Sequence, residues 1–262
     1  MAPSGAILMR GISLAFLSIM VLLPIAALVA NARQAGWSEF WQTLSYAPDV
    51  SAIELTVGAS AIVVAINIVF GTILAWVLVR DDFPGKGIVN AVVDLPFALP
   101  TVVAGVVLLT LYGPDSPVHV DVYGTRIAIG LALLFVTLPF VARAVQPVLI
   151  SMDRDMEEAA AVLGARPLSI FVRIVLPNLA PALLSGAGLA FARALGEFGS
   201  VVILSSNIPN KTQVVSLVIE GDISSGYVSQ AACLSVFLLA LSLTVLIVFG
   251  WLSHRWSGSH AD

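Results

Sequence analysis

Six apolar runs decide what this chain can fold into: residues 11–31, 54–79, 88–112, 127–150, 179–204 and 230–252. A helix needs about 20 mostly apolar residues to cross the hydrocarbon core of a bilayer. Each run meets that length, so the expected fold class is all-α: a polytopic membrane protein with six transmembrane helices, forming one domain over residues 1–262. The balance of side chains agrees, since 59% are hydrophobic and only 11% charged, where soluble domains carry roughly 25% charged residues. A formal net charge of −4 carries no nucleic-acid signal. The first run holds no charge from Gly11 to Asn31, longer than the about 7–15 residues of a secretory signal core, so it reads as a retained first helix.

Orientation follows from Lys and Arg, which bias short loops toward the cytoplasm. With the amino terminus inside, the inner side collects Arg10, Arg80, Lys86, Arg143, Arg154, Arg166, Arg173 and Arg255, and the outer side only Arg33, Arg126 and Lys211. Both termini are then expected in the cytoplasm, and the connection between the fourth and fifth runs with them.

That connection, residues 151–177, has its own pattern. Ala159, Ala160 and Ala161 favour a short helix from about Asp155 to Leu163 with a face small enough to sit close in another protein's groove. Glu158 offers a carboxylate to a basic partner. Gly164 can take the positive φ that ends the helix, Pro167 can open a second one, and Pro177 with Asn178 marks an expected turn back toward the membrane. Helix, turn, helix is the reading.

Within the apolar runs, Pro96 and Pro100 each remove a backbone donor, so the third helix is expected to kink or break there. Irregular backbone at membrane depth needs protein or a water-filled cavity beside it, which puts Pro96, Pro100 and Thr101 toward the bundle interior. Asp94, about one turn into that run, needs a partner or water, as a structural or gating group. Arg193 and Glu197 sit one turn apart on the fifth run. They form either a buried structural pair or a site where Arg193 supplies positive potential that Glu197 tempers. Ser200, Ser205 and Ser206 are candidate hydrogen-bond donors near the outer mouth, and residues 212–219 a short outer helix.

Other chemistry is missing. Gly85, Lys86 and Gly87 lack the spacing and the following Ser or Thr of a phosphate-binding loop, so the chain is expected to bind no cofactor and hydrolyse no ATP itself. Cys233 has no partner for a disulfide and reads as a small buried residue. His119, His254 and His260 are dispersed, and no metal site or catalytic triad can be assembled from them.

Glu158, Ala159 and Ala160, then Gly164 four residues on, then Ile174, Leu176 and Pro177, resemble the EAA loop of ABC importer permeases. The segment from Asp94 to Gly105 resembles the third-helix signature of the sulfate and thiosulfate permeases, closer to the T-type than the W-type subunit at Leu99, Pro100 and Thr101. Leu195 to Gly199 is similar to a fifth-helix segment shared with molybdate permeases. Arg80, Phe83, Pro84 and Gly85, and the stretch from Pro139 to Val148, fit the same family. The resemblance implies a type I ABC importer permease fold with a cytoplasmic coupling helix. It further implies a W-type second permease, two ATP-binding subunits carrying ATP and Mg, an extracytoplasmic sulfate-binding protein and the bacterial inner membrane. A molybdate permease would instead form a homodimer, and an ion-coupled secondary transporter would need no ATPase.

Overall fold

Backbone hydrogen bonding does not stop where lipid stops, and the helices run on past their apolar cores. The computed structural model describes residues 3–258, which are almost wholly helical with no strand among them. His260 lies outside the described residues. The elements are α1 (Pro3–Leu17), a π-helical turn (Ser18–Leu22), α2 (Leu23–Ser45), α3 (Ala47–Arg80), α4 (Lys86–Ala98), α5 (Thr101–Tyr112), α6 (Arg126–Ser151), α7 (Asp155–Val162), α8 (Pro167–Ile170), a second π-helical turn (Phe171–Val175), α9 (Leu176–Leu195), α10 (Gly199–Leu204), α11 (Val215–Ser224) and α12 (Val228–Gly258). Five helical stretches are long and apolar enough to cross a membrane, and α4 with α5 makes a sixth if the bent pair counts as one span.

Three boundaries differ from expectation for one reason. The connection after the first run is helical, since α2 reaches Ser45 and α3 begins at Ala47, with the chain redirected at Gly36, φ 84°. The fifth span begins at Pro167 rather than near residue 179. Hydropathy counts only the lipid-facing stretch, whereas polar flanks extend a helix freely. Pro177 accordingly does not turn the chain: it occupies the first turn of α9, and the π-helical turn before it absorbs the missing donor. Asn178 Nδ2 then donates to the Ile174 carbonyl at 2.7 Å.

At the centre α3, α6 and α9 pack on one another; α12 covers α9, and α2 lies outside α12. Small residues permit the close approach, as in other membrane bundles. A Cβ on Gly186 of α9 would lie 2.9 Å from that of Ala144 on α6, and one on Gly188 would lie 2.9 Å from the Phe249 Cβ of α12. Asn67 of α3 donates to the Thr137 hydroxyl of α6 at 2.8 Å, a polar clasp in the buried seam. Cys233 is fully buried beside Ala32 and Ala232, as a small core residue. Burial pushes the Asp222 carboxyl of α11 above the usual carboxylate range.

Candidate functional site

The third helix breaks where its prolines lie. Pro96 stays inside α4, and the chain leaves the helix at Leu99 and Pro100, both extended in ψ, before α5 starts at Thr101. The two halves are bent by 117°. Each half is held to a different part of α6. Phe97 meets Phe140 edge-on at 5.1 Å on the α4 side, whereas Leu108 of α5 joins the cluster of Ala128, Ile129 and Ala132 in the first turns of α6.

Asp94 has its partner, and it is Arg143 of α6, a residue the charge count assigns to the inner loops. Arg143 Nε donates to Asp94 Oδ1 and Nη2 lies on Oδ2, both at 2.6 Å. Its Nη1 donates to the Asn90 side-chain oxygen at 2.7 Å and to Gln146 Oε1 at 2.5 Å, and Nη2 donates to the Asn90 carbonyl at 2.8 Å. A guanidinium has five N–H donors in a fixed fork, so these contacts use all of them. Arg143 therefore pins α4 to α6 and has no donor left for an anion.

The fifth span breaks too, without a proline. After α9 ends at Leu195, Gly196, Glu197 and Phe198 leave the helix, and α10 starts at Gly199. Glu197 is 2% exposed. Its Oε1 accepts from the Ser200 amide at 2.8 Å and from the Ser200 hydroxyl at 2.7 Å, satisfying orphan donors at the start of α10. Its Oε2 pairs with Arg193 Nη1 at 2.7 Å. The Glu197 carbonyl, freed by the break, accepts from Ser216 of α11 at 2.8 Å. Unlike Arg143, Arg193 has this single partner among the described residues, and its side chain is a third exposed.

Arg193 lies about 39 Å from the start of the helix at Pro167, at 1.5 Å per residue. Its neighbour Ala194 packs with Ala128, Ile129, Ala132 and Leu133 of α6, so the pair belongs to the half of the bundle remote from α7. The early helix start moves it beyond the mid-depth that a start at residue 179 implies. Of the three serines, Ser200 binds Glu197, Ser205 donates to the Thr212 carbonyl at 2.6 Å and Ser206 to the Gly124 carbonyl at 3.0 Å. Their hydroxyls hold the backbone together.

The two breaks touch. Gly199 at the start of α10 faces Thr101 at the start of α5, so that an added Cβ would collide with the Thr101 hydroxyl and come within 2.9 Å of the Val102 amide nitrogen. A Gly199→Ala variant is expected to lose about 1–3 kcal/mol through overpacking, read as a lower Tm of the detergent-solubilised chain. Thr101→Ala in the same background should recover part of that loss.

At the opposite end stands the connection between α6 and α9. Its α7 buries none of its residues. Gly164 has φ 84°, its amide donates to the Ala161 carbonyl at 2.9 Å, and Ala165 donates to the Ala160 carbonyl at 3.0 Å. Those two bonds are the Schellman closure of a helix by a left-handed residue. Glu158 and Ala159 face outward, Ala160 is half-buried, and Val162 and Leu163 are each 88% exposed, with Leu168 of α8 at 73%. Ile174, Leu176 and Pro177 belong to the helix that carries this loop into the bundle. Sequence reasoning passed over Glu157, which turns inward to the end of α3 at Arg80.

Membrane spans carrying an exposed helix-turn-helix at one end define a membrane protein with a free surface for a partner on one side. Residues 67–258 match the family described as binding-protein-dependent transport system inner membrane component. The chain is 41% identical over 248 residues to a probable sulfate transport system permease protein cysT of Nephroselmis olivacea, covering 92% of this chain and 87% of that one. It is 39% identical over 259 residues to the sulfate transport system permease protein CysT of Salmonella typhimurium, covering 96% and 94%. Among solved structures, a chain of a bacterial alginate ABC transporter bound to its periplasmic protein superposes with a TM-score of 0.79 at 18% identity, over 95% of this chain and 94% of that one. The MetNI methionine ABC transporter follows with a TM-score of 0.63 at 17% identity, over 81% and 97%. The fold is thus that of type I ABC importer permeases. The chain belongs to the binding-protein-dependent inner membrane components, among the CysT permeases, and is a transport subunit rather than an enzyme.

Proposed function

We propose that this chain is a permease subunit of an ABC importer that takes up sulfate or thiosulfate across the bacterial inner membrane, with both termini in the cytoplasm. The observation that carries the reading is identity of about 40% with CysT sulfate permeases over nearly the whole chain. Transport would be driven from outside the chain, by two ATP-binding subunits that hold ATP and Mg, while an extracytoplasmic binding protein delivers the anion. A W-type permease would complete the pore. The exposed side chains of Val162, Leu163 and Leu168 around Glu158 suit docking into an ATPase groove, and Gly164 sets the angle at which α7 meets it. Closure of the ATPases on ATP would move α7 and open the pore toward the docked receptor; hydrolysis would reset it.

In the far half of the bundle, Arg193 supplies the positive potential and Glu197 keeps it from trapping the anion. Asp94, Pro96, Pro100 and Thr101 shape the pathway wall through the broken third helix. The first test is a pull-down of the tagged chain from mild detergent with mass spectrometry. A second, related permease with an ATPase is the expected catch; an ATPase with this permease alone would indicate the homodimeric molybdate type, and no ATPase at all would refute the reading.

A further inference from the structure

Among the described residues, one ion pair ties the loop at 151–177 to the rest of the bundle. Glu157, on α7, accepts from Arg80, the last residue of α3, with Nη2 and Oε1 2.6 Å apart. The two residues are separated by 77 positions in the chain. Both side chains are largely withdrawn from solvent, at 9% and 18% exposure. The Arg80 guanidinium lies over the Trp76 ring at 5.6 Å, one turn back on α3, where a cation is attracted by the ring face. Trp76 in turn meets Phe171 edge-on at 5.7 Å. Phe171 opens the π-helical turn on the far side of Gly164. Both limbs of the loop therefore grip the same end of α3: the first through Glu157, the second through Phe171.

The contrast between the two neighbouring carboxylates is informative. Glu158, which belongs to the motif, faces solvent, while Glu157 faces α3. None of α7's residues is fully buried, and besides the ion pair its main contacts are with α8 and the π-helical turn, which begin the fifth span. α3 packs along α6 and α9, and at Arg80 it passes into the connection to α4, the first half of the broken helix.

We propose that Glu157 and Arg80 are positioning residues that make α7 and the end of α3 move together, so that displacement of the loop reaches the broken helix through α3 as well as through α9. The inference rests on the reading of the loop as the ATPase contact. Neither residue touches ATP or the transported anion; the pair acts by holding two helices in register.

The test uses the complete transporter, reconstituted in vesicles with its ATPase subunits and its binding protein, and reads sulfate taken up per ATP hydrolysed. That ratio does not change when a variant merely lowers the amount of folded complex. Glu157→Gln and Arg80→Gln are each expected to lower it about tenfold, the scale of losing one charge-assisted hydrogen bond. The double variant should be no worse than either single one, because the two act as a unit. Arg80→Lys, which keeps a cation at the end of α3, should recover most of the ratio. An unchanged ratio in Glu157→Gln would overturn the inference, as would additive losses in the double variant. Should the Gln variants fail to assemble, Arg80→Lys alone decides: a ratio about tenfold below that of the wild type would count against the pair. Failure of the wild-type chain to recover an ATPase would strike the underlying reading instead, and is seen separately in the pull-down.

Discussion

An Arg193→Gln variant is expected to transport little or nothing and to accumulate poorly, and the reason lies in what it leaves behind. Glu197 is 2% exposed and held in the break of the fifth span by Ser200. Removing one partner of a buried pair costs on the order of 3–5 kcal/mol, because the other charge is stranded. The solvent reaching Arg193 reduces that figure, since its side chain is a third exposed. The single variant cannot separate a structural from a transport role, but Arg193→Gln combined with Glu197→Gln can. Two neutral amides leave no stranded charge, and the amide replacing the Glu197 carboxylate keeps an oxygen to accept from Ser200. Membrane levels should return to those of the wild type. Uptake should stay reduced by about ten- to hundredfold, the worth of a hydrogen bond to a charged group. Full uptake by the double variant would reduce Arg193 to half of a structural pair.

Replacing Gly164 with valine is the second large effect. Nothing lies within 4 Å of a Cβ added there, so the consequence is conformational and local. At φ 84° a side chain meets its own backbone, costing about 1–2 kcal/mol for an ordinary residue and more for a β-branched one. The Schellman bonds from Gly164 and Ala165 to Ala161 and Ala160 would be lost, and α8 would leave α7 at another angle. Gly164→Val should reach the membrane at normal levels and show uptake lowered at least about tenfold, since the cost exceeds the roughly 1.4 kcal/mol that a factor of ten requires. Gly164→Asn should retain most activity, because Asn tolerates the left-handed region. Equal effects of Val and Asn, measured as uptake in vesicles, would show that φ at this position is not what the loop needs.

Local chemistry was legible without a fold. The apolar runs predict the spans, Pro100 predicts the break of the third, and Gly164 predicts the turn between α7 and α8; each depends on a residue and its immediate neighbours. Cys233 as a core residue follows from hydropathy alone. Helix ends were not legible, because the helices continue through polar flanks from Pro167 and to Ser45. The break at Gly196 to Phe198 was likewise hidden. An Arg and a Glu four apart read as one helical face, yet Glu197 turns to cap α10, and no proline announces the interruption.

By itself, then, the amino-acid sequence determined the class of fold, the positions of the apolar runs, the loop motif and the conformations that single residues dictate. Tertiary structure alone decided the partners. Asp94 with Arg143, Arg80 with Glu157 and Thr101 with Gly199 join residues 49, 77 and 98 positions apart. Such pairs are chosen by which helix faces and ends the packed bundle brings together. Spacing along one helix predicts a shared face; it carries no information about what stands opposite.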